Sequence, residues 1–207
     1  MLFDLDGTLV TGELDFAAIR REIGGVCGPI LEHIAAASAA ERERATTILT
    51  RHEEAAAQRC QLQPGARELL DFCRERGLRV GLLTRNSRAT VATVCQRLDL
   101  RFDVVIARED APPKPSPECV LTACRRLGVA PERCLVVGDY RFDIEAGHAA
   151  GAWTALLCDR TRTLPDVQAD FEVANLAQVR EVVTLLLAAG GGEESEGRTD
   201  TCARCAH

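Results

Sequence analysis

From residue 62 onward the chain alternates short, nearly unbroken apolar runs with longer stretches whose apolar positions recur every three or four residues. "LRVGLLT" (78–84), "DVVIA" (103–107), "RCLVVGD" (133–139) and "WTALLC" (153–158) have the length and branched-apolar character of strands buried on both faces. Between them, "ARELLDFCRERG" (66–77), "SRATVATVCQRLDL" (87–100), "SPECVLTACRRLG" (116–128) and "DIEAGHAAG" (143–151) carry helical spacing, with Gly77, Gly128 and Gly151 where C-terminal caps belong. Pro117 behind Ser116 marks a helix start. Strand and helix in strict alternation predict an α/β fold, a parallel sheet covered by helices.

Residues 13–62 break the alternation. "ELDFAAIRREIGG", "PILEHIAAASAA" and "ERERATTILTRHEEAAAQRC" are Ala-rich, lack strand signals and are punctuated by Gly24, Gly25, Gly28 and Pro29. They predict two or three helices inserted after the first strand, with Pro64 and Gly65 marking the return. "FEVANLAQVREVVTLLLAAG" (171–190) predicts one more short strand and a closing helix. The expected division is a core of 1–12 and 63–189, an insert of 13–62, and a polar tail of 190–207 with too little to bury to stay ordered. Only Met1, Leu2 and Phe3 precede Asp4, whereas a central strand runs to about five or six residues. The expectation is an unusually short first strand or further residues upstream.

Composition narrows the function. The chain has 207 residues, 46% hydrophobic and only 4% aromatic, so its core is one of Leu, Val, Ala and Ile. A formal charge of -6 weighs against nucleic acid as a partner, because phosphate backbones are bound by clustered Lys and Arg. With no basic segment leading into an apolar one at the start and no apolar run long enough to cross a bilayer, the expectation is a soluble protein with no membrane partner. Eight of the 10 cysteines are scattered singly at helix and strand positions, as small buried hydrophobes in the cytoplasm or another reducing intracellular compartment would be. "CARCAH" near the end offers Cys202, Cys205 and His207, but no second ligand pair, and is not expected to hold a metal.

Parallel sheets bind ligands outside the carboxyl ends of their strands. At those ends stand Asp4 and Asp6 in "DLDGT", then Thr84, Arg85 and Asn86 after "GLL", Lys114 in "PPKPSP", and Asp139 with Asp143 one helical turn later. Acids, a hydroxyl and a lone lysine in one place suit phosphoryl transfer onto a carboxylate. Attack of one anion on another needs the repulsion neutralised, which Mg²⁺ between Asp4 and the phosphate, anchored by Asp139, would do. Lys114 and Thr84 would stabilise the transferring oxygens. Asp6 would protonate the departing alkoxide and then activate water. Arg85 and Asn86 stand close enough to Thr84 to touch substrate, and Arg141 is a further candidate. In the insert, Arg20, Arg21, His33, Arg44 and His52 are possible selectors, although helix faces of this kind are usually solvated.

"DLDGT", the hydroxyl of "LLTRN", the lysine of "KPSP" and the acids of "GDYRFD" resemble, in order and spacing, the four motifs of the haloacid dehalogenase superfamily of phosphatases. The resemblance implies a Rossmann-like doubly wound parallel sheet with a small inserted α-helical cap, the phosphoglycolate phosphatase-like arrangement. It implies Asp4 as nucleophile, Asp6 as general acid/base, and Thr84 and Lys114 as phosphate-binding groups. It further implies Mg²⁺ on Asp4, Asp139 and the backbone carbonyl of Asp6, with Asp143 behind or at the margin. A small phosphorylated metabolite is the expected substrate. Three other readings use the same residues: a phosphoacceptor or phosphate-binding module without catalysis, a phosphomutase, and a dehalogenase. The dehalogenase would need neither Asp6 nor the Gly138–Asp139 pair, and a phosphoacceptor would have no use for Asp6 or the insert.

Overall fold

The computed structural model describes residues 1–12, 14–158 and 166–190. Among these, six short strands form one parallel sheet: β1 (Leu2–Phe3), β4 (Gly81–Leu83), β5 (Val104–Ile106), β6 (Leu135–Gly138), β7 (Trp153–Leu157) and β8 (Phe171–Val173), in the order β5-β4-β1-β6-β7-β8. The chain starts at the centre, winds outward through β4 and β5, then returns to the other side of β1 and winds outward again. That reversal puts a crevice at the carboxyl ends of β1, β4 and β6, the switch point where doubly wound sheets bind ligands.

The period of two along each strand explains why these runs are buried on both faces. Phe3, Leu82 and Val137 point into one core with α4 (Ala66–Glu75), α5 (Arg88–Leu98) and α8 (Leu176–Gly190). Leu2, Leu83 and Val136, their neighbours in sequence, point into the other with α6 (Glu118–Leu127) and α7 (Arg141–Ala149). Ser116 Oγ accepts from the Glu118 N–H at the start of α6, and Gly77, Gly128 and Gly151 follow α4, α6 and α7 at positive φ. β1 is short, but both its neighbours pair with it, and the Gly81 N–H donates to the Met1 carbonyl at 2.9 Å.

Between β1 and α4 the chain forms α1 (Phe16–Ile23), α2 (Ile30–Ala36) and α3 (Ala39–Ala57). They enclose a core of their own, Ile19, Ile23, Ile30, Ile34, Ala45 and Leu49, separate from the two on the sheet. Ser38 and Glu41 close a capping box that starts α3, which packs on α5. The sequence pattern contained no sign of the narrow antiparallel ribbon at the root of this insert, β2 (Val10–Thr11) on β3 (Gln61–Leu62). Two residues per strand are too few to show a period.

The eight cysteines among the described residues are free thiols, and Cys60, Cys73, Cys119, Cys124 and Cys134 are buried. No helix among the described residues is long and apolar enough to cross a membrane. The "CARCAH" segment and the expected disordered tail from residue 191 on lie outside the described residues.

Candidate active site

Asp4 is the first residue beyond β1. Its N–H donates to Val137 O at 2.9 Å, so the sheet ladder fixes its backbone while its side chain enters the crevice. The strand stops there. Asp6 lies on the following turn, bridged to Val10, so the two carboxylates do not share a strand face as simple alternation would have them. The turn depends on Gly7 at φ +80°, where any Cβ would run into the Asp139 carboxylate. Gly138 is constrained in the same way: a Cβ there would overlap the Asp143 side chain.

Lys114, 3% exposed, lies at the centre. Its Nζ donates to Asp4 Oδ1 and Asp143 Oδ1, each at 2.5 Å, and to Leu83 O at 2.9 Å. Burial disfavours the ammonium, but the two carboxylates outweigh it and hold its pKa above the ordinary lysine value, so it stays charged. Asp143 also accepts from the Tyr140 N–H at 3.2 Å and so is committed to holding the lysine and its own helix start. Burial pushes the pKa of Asp4 well up; Lys114 opposes this, while Asp143, Asp139 and Asp6 reinforce it. One lysine does not neutralise this group of acids. Carboxylate oxygens of Asp4, Asp139 and Asp143 lie within 4.8 Å of one another, a set of hard oxygen donors that suits a divalent cation.

Asp6 faces the other side of the crevice. Asn86 Nδ2 donates to its Oδ2 at 2.6 Å, and burial raises its pKa against the pull of that hydrogen bond and of Lys114. Thr84, 5% exposed, accepts from the Asn86 N–H at 3.1 Å, which leaves its own hydroxyl hydrogen for another acceptor. Arg85 is turned away from the acids. Its guanidinium meets both oxygens of Glu32 on α2 at 2.9 and 2.7 Å, donates to the Lys114 carbonyl, and lies 4.8 Å over the Phe142 ring.

Four of the other candidate cations are engaged elsewhere. His52 lies against Glu22, Arg44 donates to Ile23 O, Arg20 covers Phe16, and Arg141 pairs with Glu145 along its own helix. The residue that sequence reasoning missed is Glu53, 3% exposed on α3, paired with Arg108 at 2.6 Å. A signal was present: Ala45, Leu49, Glu53 and Ala57 fall at successive i+4 positions, which makes Glu53 an acid in the middle of an apolar stripe.

A sequence model of the haloacid dehalogenase-like hydrolases matches residues 1–151. The chain belongs to that family. A haloacid dehalogenase-like hydrolase domain-containing protein of Arabidopsis thaliana is 31% identical over 202 residues, covering 88% of this chain and 82% of its own. The phosphoglycolate phosphatase of Escherichia coli is 39% identical over 93 residues, covering 44% of this chain and 37% of its own. Among solved structures, a hydrolase from Pseudomonas syringae shares the fold with a TM-score of 0.75 at 21% identity, over 89% of this chain and 97% of that one. The α/β architecture is the Rossmann-like doubly wound sheet of this family.

Proposed function

We propose that this hydrolase is a phosphatase that removes phosphate from a small phosphorylated metabolite through an aspartyl phosphate on Asp4, with Mg²⁺ as cofactor. The observation that carries the reading is the position of Asp4: a buried carboxylate at the switch point, between a charged lysine and two further acids.

Asp4 attacks phosphorus as the bond from phosphorus to the leaving oxygen breaks. Asp6, whose pKa is raised by burial, gives a proton to the departing alkoxide, while Asn86 holds its carboxyl in place. Lys114 keeps the nucleophile oriented and supplies positive charge to the transferring oxygens; Thr84 donates its free hydroxyl hydrogen to one of them. Asp6, now a base, takes a proton from water. The resulting hydroxide attacks the phosphorus of the aspartyl phosphate, releasing inorganic phosphate and restoring Asp4. Asp4, Asp139 and the backbone carbonyl of Asp6 would hold Mg²⁺, with Asp143 at the margin. When bound, the ion offsets the repulsion between two anions. The helical insert is the cap over this crevice, and Arg85 acts in substrate binding through its hold on Glu32.

Hydrolysis of p-nitrophenyl phosphate tests the reading. Turnover should require Mg²⁺ and stop with EDTA, and Asp4→Asn should lower kcat by about a thousandfold or more while leaving the circular dichroism spectrum unchanged. An Asp4→Asn protein as fast as its parent would overturn it.

A further inference from the structure

Glu53, near the end of α3, has more partners than an ion pair needs. Its Oε1 accepts from Arg108 Nη1 at 2.6 Å, and its Oε2 from the Thr90 hydroxyl at 3.4 Å. Burial pushes its pKa up, and Arg108 together with the backbone N–H of Ser87 opposes that rise. Ser87 follows Asn86 and caps α5, the helix on which α3 packs. The carbonyl of the same peptide unit, that of Asn86, accepts from the Arg108 N–H at 3.1 Å. Glu53 and Arg108, paired with each other, therefore meet both polar groups of the one peptide that joins Asn86 to Ser87.

Asn86 is held on its other flank as well, where its own N–H donates to Thr84 Oγ1 at 3.1 Å. What this clamped backbone aims is the side chain, whose Nδ2 donates to Asp6 Oδ2 at 2.6 Å. Asp6 needs such a support. It stands on a turn beyond β1, so the sheet ladder does not set its direction as it sets that of Asp4. A reacting group misplaced by about 1 Å can cost on the order of a hundredfold in rate. An amide on a fixed backbone has its partner in place before substrate arrives, and one on a loose loop does not.

We infer that Glu53 is a positioning residue for proton transfer: from the insert it fixes the peptide after Asn86, and through the Asn86 amide the Asp6 carboxyl, so that protonation of the leaving oxygen depends on α3 being seated on α5. This rests on the phosphatase reading above, in which Asp6 supplies that proton. Glu53 bonds to Arg108 and Thr90 rather than to the reacting groups, so it acts only through the others. Its loss should matter in proportion to how much the leaving group needs a proton.

The test compares phenyl phosphate with p-nitrophenyl phosphate at saturating Mg²⁺. The two esters have nearly the same shape, but phenolate is much the poorer leaving group and depends more on the acid. Glu53→Gln should lower kcat/KM for phenyl phosphate by about tenfold and for p-nitrophenyl phosphate by about twofold or less. A loss of folded protein, or damage at Asp4 or the metal, lowers both alike and cancels in the ratio. Glu53→Gln combined with Arg108→Gln leaves no unpaired charge buried and should give the same change in ratio, which keeps the test open if the single variant folds poorly. Asn86→Ala should lower the ratio too, and in that background Glu53→Gln should change it no further. An equal fall for both esters, an unchanged ratio, or a full further drop in the Asn86→Ala background would overturn the inference and leave the phosphatase reading standing. A parent that cleaves p-nitrophenyl phosphate but not phenyl phosphate has no working acid to be positioned, and would overturn the inference as well. No Mg²⁺-dependent phosphate release from either ester would overturn the phosphatase reading and this inference with it.

Discussion

The two walls of the crevice are held by different means. On the sheet side, charges are almost fully buried, and Asp4, directly after a strand paired on both flanks, shares one lysine at 2.5 Å with Asp143 of α7. On the insert side, α3 packs on α5, and of the two ion pairs that join its helices to core loops, Glu53 with Arg108 is well buried while Glu32 and Arg85 are 46% and 22% exposed. A buried charge released from its partner costs several kcal/mol, whereas a half-exposed ion pair contributes little and is weakened by salt. The sheet wall therefore holds chemistry in a fixed geometry. The insert wall can be remodelled, or moved, at small cost to the fold.

The largest expected effect is on the sheet side. Lys114→Met leaves the Asp4 and Asp143 carboxylates buried without their cation and should cost about 3–5 kcal/mol in urea unfolding, together with a loss of about 100-fold or more in kcat. Added Mg²⁺ should recover part of the stability and little of the rate. A variant as stable and as active as the parent would show that the lysine is not central to this wall.

A middle-sized effect lies at the amino ends of β7 and β8, away from the crevice, where the exposed Asp170 ties the two strands. It accepts from the Thr154 N–H and hydroxyl, both at 2.8 Å, and meets His148 at 3.3 Å. Burial alone would raise its pKa, but Thr154 and His148 outweigh it and hold the value below the usual aspartate range. Because the folded value is depressed, the stabilisation is present above the unfolded pKa and is lost as pH falls through the folded one. Asp170→Asn should thus destabilise by about 1 kcal/mol at pH 7, and the gap from the parent should close below about pH 4. A gap independent of pH would mean that shape, not charge, makes the clasp.

The smallest effect on the fold belongs to the insert. Glu32→Gln should change stability by about 0.5 kcal/mol or less. It should lower kcat/KM about threefold, mostly through KM, because the insert is then less often seated. High salt should reproduce this in the parent. A loss in kcat near that of Lys114→Met would place Glu32 in the chemistry and erase the contrast between the two walls.

Much of the sheet side was legible in advance because its signals are local. Apolar runs such as "LVVG" and "VVI" read as buried strands, and Asp4, Thr84 and Asp139 stand directly after such runs. The turn at Gly7 was less legible: alternation put Asp6 on the same face as Asp4, but the strand ends at Phe3 and Asp6 turns to Asn86, 80 positions away. The sequence puts Arg85 beside Thr84, within reach of substrate, but not its guanidinium against Glu32 and Phe142. Neither partner is near it in sequence.

The order of apolar runs and helical spacings by itself determined that this chain makes a parallel α/β sheet interrupted by a helical insert, and that its acids, threonine and lysine stand at strand ends. These are properties of neighbours a few residues apart, and periodicity records them. Only the tertiary structure decided which distant groups meet: Lys114 with Asp4, 110 positions apart, and Arg108 with Glu53 across the seam of insert and core. Such pairings arise from strand order and helix packing, which bring together side chains that leave no local pattern in the chain.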